Sequence, residues 1–192
     1  MNLSRARATR SQKRTFQVIH PAGLVGDYLH WLKLELDHPS VALILANADH
    51  SVEEIIRSAS RARRGAKVKS AEFDETWCIF DGLSELELIA ARQLAHQEKV
   101  RLATNTLNID QWLLLHFEDP APSLSATELR AKVFGYLSAD EPESVDFAGL
   151  SDLTSAALER AVDAAKALNP DTSMHELVLS LQASRHNFRP RR

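Results

Sequence analysis

The chain has 192 residues, of which 44% are hydrophobic and 26% are charged, and this is typical of one globular domain with its own core. It contains no run of about 18 apolar residues, so the sequence predicts no membrane-spanning helix. Basic residues precede the first, short apolar run, so we expect no signal peptide. The single cysteine, Cys78, excludes an intrachain disulfide framework and favours a reducing, cytoplasmic location.

The net charge of -3 conceals an uneven distribution of basic residues. Residues 1–14, 57–69 and 185–192 carry lysines and arginines without a single acid. Basic segments beside an acidic remainder indicate contact with a polyanion such as nucleic acid, and the alternative is that they are merely solvated. The candidate nucleic-acid-binding residues are Arg5, Arg7, Arg10, Lys13 and Arg14 in the first segment, and Arg61, Arg63 and Arg64 in the second.

Short apolar segments that alternate with helical patterns predict the fold. The predicted strands are Thr15–Ile19, Val41–Ala46, Thr76–Phe80 and Val100–Ala103. Ser51 and Ser84 each precede a helical pattern and have a glutamate three residues later, which is the capping-box signature. Because short buried strands joined by helices form parallel sheets, we expect an α/β fold with a mostly parallel four-stranded sheet of Rossmann-like form, flanked by helices.

The predicted domain organisation places the sheet first and helices after it. Residues 1–14 are expected to form a flexible basic arm, residues 15–184 a single domain, and residues 185–192 a basic tail. Within the domain, residues 15–118 hold the sheet and residues 119–184 are helical. The later helical patterns are 109–117, 125–138, 150–168 and 173–184. In the helix after Ser84, the apolar face is predicted to consist of Leu86, Ile89, Ala90 and Leu94.

Polar side chains follow the predicted strands at their carboxyl ends: His20, Asp49, Asp81 and Asp110. The carboxyl ends of parallel strands share one edge, so these side chains are expected to approach one another. Carboxylate oxygens suit Mg²⁺ or Mn²⁺, and a metal ion can drive phosphodiester hydrolysis. This favours Asp81 and Asp110 as metal ligands and His20 as a ligand or base. The alternative is that Asp81 forms a turn or caps a helix and that Asp110 is a first-turn helix acid.

Other motifs add little catalytic chemistry. His116 lies within the apolar run WLLLHF, a position typical of a hydrogen-bonded core residue rather than a ligand. The chain has no Walker loop, no G-x-G-x-x-G and no G-x-S-x-G motif. We therefore expect no cofactor, except Mg²⁺ or Mn²⁺ if the chain retains nuclease activity.

Three blocks of the sequence form a recognisable set: WCIFD at 77–81, WLLLHFE at 112–118 and NPDTSMHELV at 169–178. Together they resemble the RloB-like family of bacterial and archaeal proteins, and the resemblance extends over about residues 12–184. It implies a Toprim-like α/β core with nuclease-type acidic positions. It also implies a setting of restriction-modification or abortive-infection genes, with an ATPase as a partner protein.

The sequence departs from this family where a nuclease needs acids. The family carries two glutamates after the first strand, whereas this chain has residues 20–25, HPAGLV. The family's D-x-D becomes Asp81-Gly82-Leu83, so only Asp81 and Asp110 keep carboxylates at the expected positions. Losing several ligands should weaken Mg²⁺ binding sharply, because Mg²⁺ binds proteins through few carboxylates.

These departures favour a catalytically degenerate protein that binds nucleic acid or a partner protein. We expect no membrane partner. The alternative is an active metal-dependent nuclease with an altered site formed by Asp81, Asp110 and His20. A third hypothesis is a regulatory, antitoxin-like subunit whose helical C-terminal half docks on another protein.

Overall fold

The computed structural model describes residues 14–37, 41–47, 50–68, 72–120, 124–137, 145–166 and 172–186. These residues contain four strands and seven helices. None of the described helices is long and apolar enough to span a bilayer. In chain order the elements are β1 (Arg14–His20), α1 (Leu24–Glu35), β2 (Val41–Asn47), α2 (Val52–Val68), β3 (Glu75–Asp81), α3 (Glu85–Glu98), β4 (Arg101–Asn105), α4 (Asp110–Leu114), α5 (Ala126–Leu137), α6 (Leu150–Lys166) and α7 (Met174–His186).

The strands form one parallel sheet in the order β2-β1-β3-β4, which confirms the predicted α/β architecture. The chain moves from β1 to one neighbour and from β3 to the other. The strand order therefore reverses between β1 and β3, and open parallel sheets bind ligands beyond the carboxyl ends of such strands. In this sheet those ends are His20 and Asp81.

Separate apolar clusters cover the two faces of the sheet. The larger one packs α1 and the C-terminal helices against Trp77 and Ile79, and the smaller one packs α2 and α3 against Cys78 and Phe80. This alternation follows from the two-residue period of a strand. Trp77 and Trp112 are both fully buried.

The sheet begins one residue earlier than predicted, at Arg14. The Arg14 guanidinium donates to the Glu75 carboxylate at 2.7 Å and to Ser184 Oγ at 2.8 Å, which ties the first strand to β3 and α7. Arg14 is therefore part of the folded domain rather than of a flexible arm. Arg5, Arg7, Arg10 and Lys13 lie outside the described residues, as does most of the predicted basic tail.

The prediction for the inner face of α3 was correct for Leu94, which packs against the smaller apolar cluster, and wrong for Leu86, Ile89 and Ala90. Leu86 is 80% exposed and Ile89 is 46% exposed, whereas Ala91 and Ala95 are buried. Both rows have helical spacing, and the sequence favoured the row with larger side chains. The alanine row instead faces the sheet and allows close packing there. The capping box at Ser84 is present as predicted, since Ser84 Oγ accepts from the Glu87 amide while the Glu87 carboxylate accepts from the Ser84 amide.

Candidate functional site

Asp81 closes β3 beside the point where the strand order reverses. Its Oδ1 accepts a hydrogen bond from Asn105 Nδ2 at 2.7 Å, and its carboxyl group also accepts one from the Ile109 amide. Burial raises the pKa of Asp81, and these two hydrogen bonds oppose that rise. The carboxylate is thus held in one orientation at the strand edge.

Asn105 and Thr172 extend this arrangement, and sequence reasoning missed both. Asn105 is the last residue of β4 and lies directly opposite Asp81 in the strand register. Its Oδ1 accepts from Thr172 Oγ1 at 2.5 Å, so the amide bridges the carboxylate to the C-terminal region. Asn105 could have been predicted as a site residue because it is a polar residue at the end of β4. The carboxyl ends of neighbouring parallel strands lie side by side.

Residues 172–173 dock on the outer side of β4. Thr172 forms an antiparallel bridge with Asn105, and the Ser173 amide donates to the Thr104 carbonyl at 2.8 Å. In return, the Thr104 amide donates to Ser173 Oγ at 2.8 Å. Thr172 and Ser173, which are distant in sequence, therefore supply side chains that support the site.

The turn after Asp81 places an apolar side chain at the position where the resemblance expects a second acid. Gly82 has a φ of +66°, and a Cβ there would lie 3.3 Å from the Leu107 carbonyl oxygen, so the turn requires glycine. The Gly82 amide donates to the Asn105 carbonyl at 3.0 Å. Leu83 then packs against the smaller apolar cluster. An apolar contact thus occupies the position where the resemblance expects a second carboxylate.

Asp110 begins α4 and is fully buried. Arg130 Nε lies 3.1 Å from Asp110 Oδ2, but neither carboxylate oxygen has a hydrogen bond of good geometry within the described residues. The attraction between the two groups is therefore chiefly Coulombic. Burial raises the pKa of Asp110, the Arg130 charge lowers it, and repulsion from Asp81 raises it further. Asp81 and Asp110 are thus close enough for their charges to interact.

His20 does not join the two carboxylates in a three-residue group. It is buried, and its Nδ1 donates to the Pro21 carbonyl at 2.7 Å. Its ring packs on α1 so closely that a Cβ at Gly26 would lie 3.0 Å from His20 Cε1. Among the described residues, no three His, Cys, Asp or Glu side chains form a group that could hold a metal ion. Asp49 lies outside those residues.

The donor set at this edge does not fit the divalent cation that the family implies. Mg²⁺ requires near-octahedral oxygen coordination. Asp81 already accepts hydrogen bonds from Asn105 and Ile109, and Asp110 already faces the Arg130 guanidinium. A fixed positive charge beside a ligand repels a second cation. The residues present therefore favour an internally neutralised acid pair over a metal site.

The WLLLHF block contains the end of α4 and the buried residues that follow it. His116 Nδ1 donates to the carbonyl oxygens of Trp112 and Leu113 at 3.1 and 3.2 Å, and the ring lies edge-on to Trp112. Burial lowers the pKa of His116 to about 4, so the ring is neutral near pH 7. This matches its predicted role as a hydrogen-bonded core residue. The helix ends at Leu114, earlier than the predicted residue 117.

The basic cluster of α2 has a partly structural role. The carboxylate of Glu98, at the end of α3, contacts Arg57 at 3.4 Å and Arg64 at 3.0 Å. Arg63 donates to the Glu98 carbonyl at 3.3 Å. Cations at a helix C-terminus are favoured by the helix dipole. Arg61 is exposed and interacts electrostatically with Glu54 of its own helix rather than with Glu98.

Comparison with known families gives a match to a family model. None of the curated proteins matches the sequence. A family model described as RloB-like protein matches residues 26–181, a span that runs from α1 into α7. The matched span includes Asp81, Asp110 and the WLLLHF block, together with the Thr172 segment that supports them. A match over most of the chain shows that this protein belongs to the RloB-like family.

Proposed function

We propose that this protein is a catalytically degenerate RloB-like protein that binds nucleic acid without cutting it, in a restriction-modification or abortive-infection setting. The absence of cleavage is inferred from the surroundings of Asp81 and Asp110, the acid pair. Asp110 faces Arg130 and Leu83 packs into an apolar cluster, so the edge of the sheet offers two carboxylates and a fixed cation. Such a set lacks the charge needed to bind and orient a metal ion for phosphodiester hydrolysis.

The proposed binding of nucleic acid is supported by the exposed basic side chains of α2. Residues 57–68 carry five basic side chains and no acid. Although Arg57 and Arg64 contact Glu98, their side chains remain 47% and 57% exposed, and Arg61 and Lys67 are exposed as well. Exposed cations along one helix favour contact with phosphates.

Reversal of one charge on α2 tests this binding surface. In fluorescence anisotropy with labelled DNA and RNA, Arg61→Glu is expected to weaken binding and to reduce the salt slope of log K by about 1, because one phosphate contact is lost. Lys33→Glu, an exposed lysine of α1, is the matched control and should leave the affinity unchanged. Deleting residues 1–13 should weaken binding more than Asp81→Ala does. Equal affinity of Arg61→Glu and wild type would remove α2 from the binding surface.

A second candidate function is an active metal-dependent nuclease that uses Asp81 and Asp110, without the predicted His20, whose ring is held against α1. The observation in its favour is that Asp81 and Asp110 interact electrostatically beyond the carboxyl end of β3, with Asp81 partly exposed. Mg²⁺ is often held by one or two carboxylates together with substrate phosphates, so a substrate would complete the ligand set. In that case cleavage depends on the Asp81 carboxylate.

A role through a partner protein, such as an ATPase, follows from the family resemblance. Docking through the helical C-terminal half has less support. In the described part of residues 125–184, the exposed large apolar side chains are Tyr136 and Leu179, which lie on different helices. A docking surface normally needs a contiguous apolar patch.

A further inference from the structure

We propose that Arg130 is a built-in cation that takes the place of a divalent metal ion beside Asp110 and Asp81. The inference deepens the proposed function and rests on it, because a metal-dependent nuclease would need a metal charge at this edge. Arg130, which lies outside the acidic motifs, then determines whether the carboxyl end of the sheet binds a metal ion.

The need for a counter-charge comes from the burial of Asp110. Its side chain is 0% exposed, and an ionised carboxylate removed from water must be compensated by an opposite charge. Arg130 supplies that charge, with its Nε at 3.1 Å from Asp110 Oδ2. The Asn108 side chain also lowers the pKa of Asp110, but the other oxygen, Oδ1, is buried and has no hydrogen bond of good geometry among the described residues. A single guanidinium therefore leaves part of the carboxylate uncoordinated.

The position of Arg130 is set by the helix that carries it. The neighbouring Leu129 and Val133 are buried in the main core, which fixes the rotation of α5. A capping box fixes the start of that helix, since Ser125 Oγ accepts from the Glu128 amide and the Glu128 carboxylate accepts from the Ser125 amide. The guanidinium also lies over the Phe134 ring at 5.5 Å. The cation is thus held at the acid pair by the fold.

Without the Arg130 guanidinium, the Asp81 and Asp110 carboxylates would lie near each other at the carboxyl end of the sheet. No other cation of the described structure would lie beside them. Oxygen ligands of this kind are those that Mg²⁺ and Mn²⁺ prefer. Removing the positive charge should therefore convert the edge into a weak divalent-cation site. Replacing it by another positive side chain should not.

The test compares thermal unfolding with and without MnCl₂ at pH 7. In Arg130→Gln, Mn²⁺ at ten times its dissociation constant is expected to raise the midpoint by about 3–6 °C. Wild type and Arg130→Lys should show no such rise, and neither should the double variant Arg130→Gln/Asp110→Asn. Arg92→Gln, a change at an exposed arginine of α3, is the control for the loss of a surface charge and should behave as wild type.

Two outcomes would overturn the inference. One is a folded Arg130→Gln protein whose midpoint does not respond to Mn²⁺, or responds equally without the Asp110 carboxylate. The other, which holds even if Arg130→Gln fails to fold, is stoichiometric Mn²⁺ binding by wild type that Asp110→Asn removes. Cutting of nucleic acid by wild type would instead overturn the proposed function, so the two failures are distinguishable.

Discussion

Replacing Trp112 with alanine is expected to lower the free energy of unfolding by roughly 3–5 kcal/mol. The indole is fully buried where α4 meets the main core, and it packs against the His116 ring at 5.0 Å between centroids. It also lies beside the Tyr28 hydroxyl, which is buried in the same region. Truncation would therefore leave a large cavity under the helix that carries Asp110.

Chemical denaturation with circular dichroism measures this loss. Trp112→Phe keeps most of the buried volume and should lower the free energy of unfolding much less than alanine does. Trp31→Ala removes a partly buried indole and provides a second comparison. An alanine variant within about 1 kcal/mol of wild type would contradict the placement of Trp112 in the core.

Acidification from pH 6.5 to about 4 is expected to destabilise the protein through His116. The pKa of this side chain falls from 6.5 to about 4 on folding, because burial disfavours the charged ring and Arg160 adds a nearby positive charge. The unfolded chain therefore binds a proton before the folded protein does. The contribution of the neutral His116 ring to the free energy of unfolding is fully present above pH 6.5. It is lost as the pH falls to about 4, and the loss is roughly 3 kcal/mol.

The measurement is the pH dependence of unfolding free energy for wild type and His116→Gln. The difference between the two isolates the histidine from Asp81 and Asp110, whose raised pKa values give stability that falls as the pH rises. Gln97→Ala, at an exposed residue of α3 without a titratable group, is the control for a surface change and should keep the wild-type slope. Identical slopes for wild type and His116→Gln between pH 4 and 6.5 would contradict a buried, neutral His116.

The sheet could be predicted from the sequence because its strands are continuous apolar runs. Each predicted strand lies within an observed one, apart from Val100, which immediately precedes β4. The polar residue that follows the third apolar run, Asp81, was correctly predicted to lie at the carboxyl end of the sheet. Local patterns were sufficient here, since a parallel strand buried on both faces has few alternative interpretations.

The partners of the acid pair could not be predicted, because they come from distant parts of the chain. Thr172 reaches Asn105 across a separation of 67 residues, and Arg130 reaches Asp110 from the next helix. Nothing local distinguishes Arg130 from other arginines on helix surfaces. The buried row of α3 was missed for a different reason, since Ala91 and Ala95 carry little hydrophobic signal of their own.

The most direct test of the central claim is a cleavage assay on DNA and RNA with Mg²⁺ or Mn²⁺, comparing folded wild type with Asp81→Ala. The account predicts that both proteins leave single-stranded and duplex substrates intact, while wild type still binds them in a salt-sensitive way. Metal-dependent cutting by wild type that Asp81→Ala abolishes would contradict it, and would establish a working nuclease site at the carboxyl edge of the sheet.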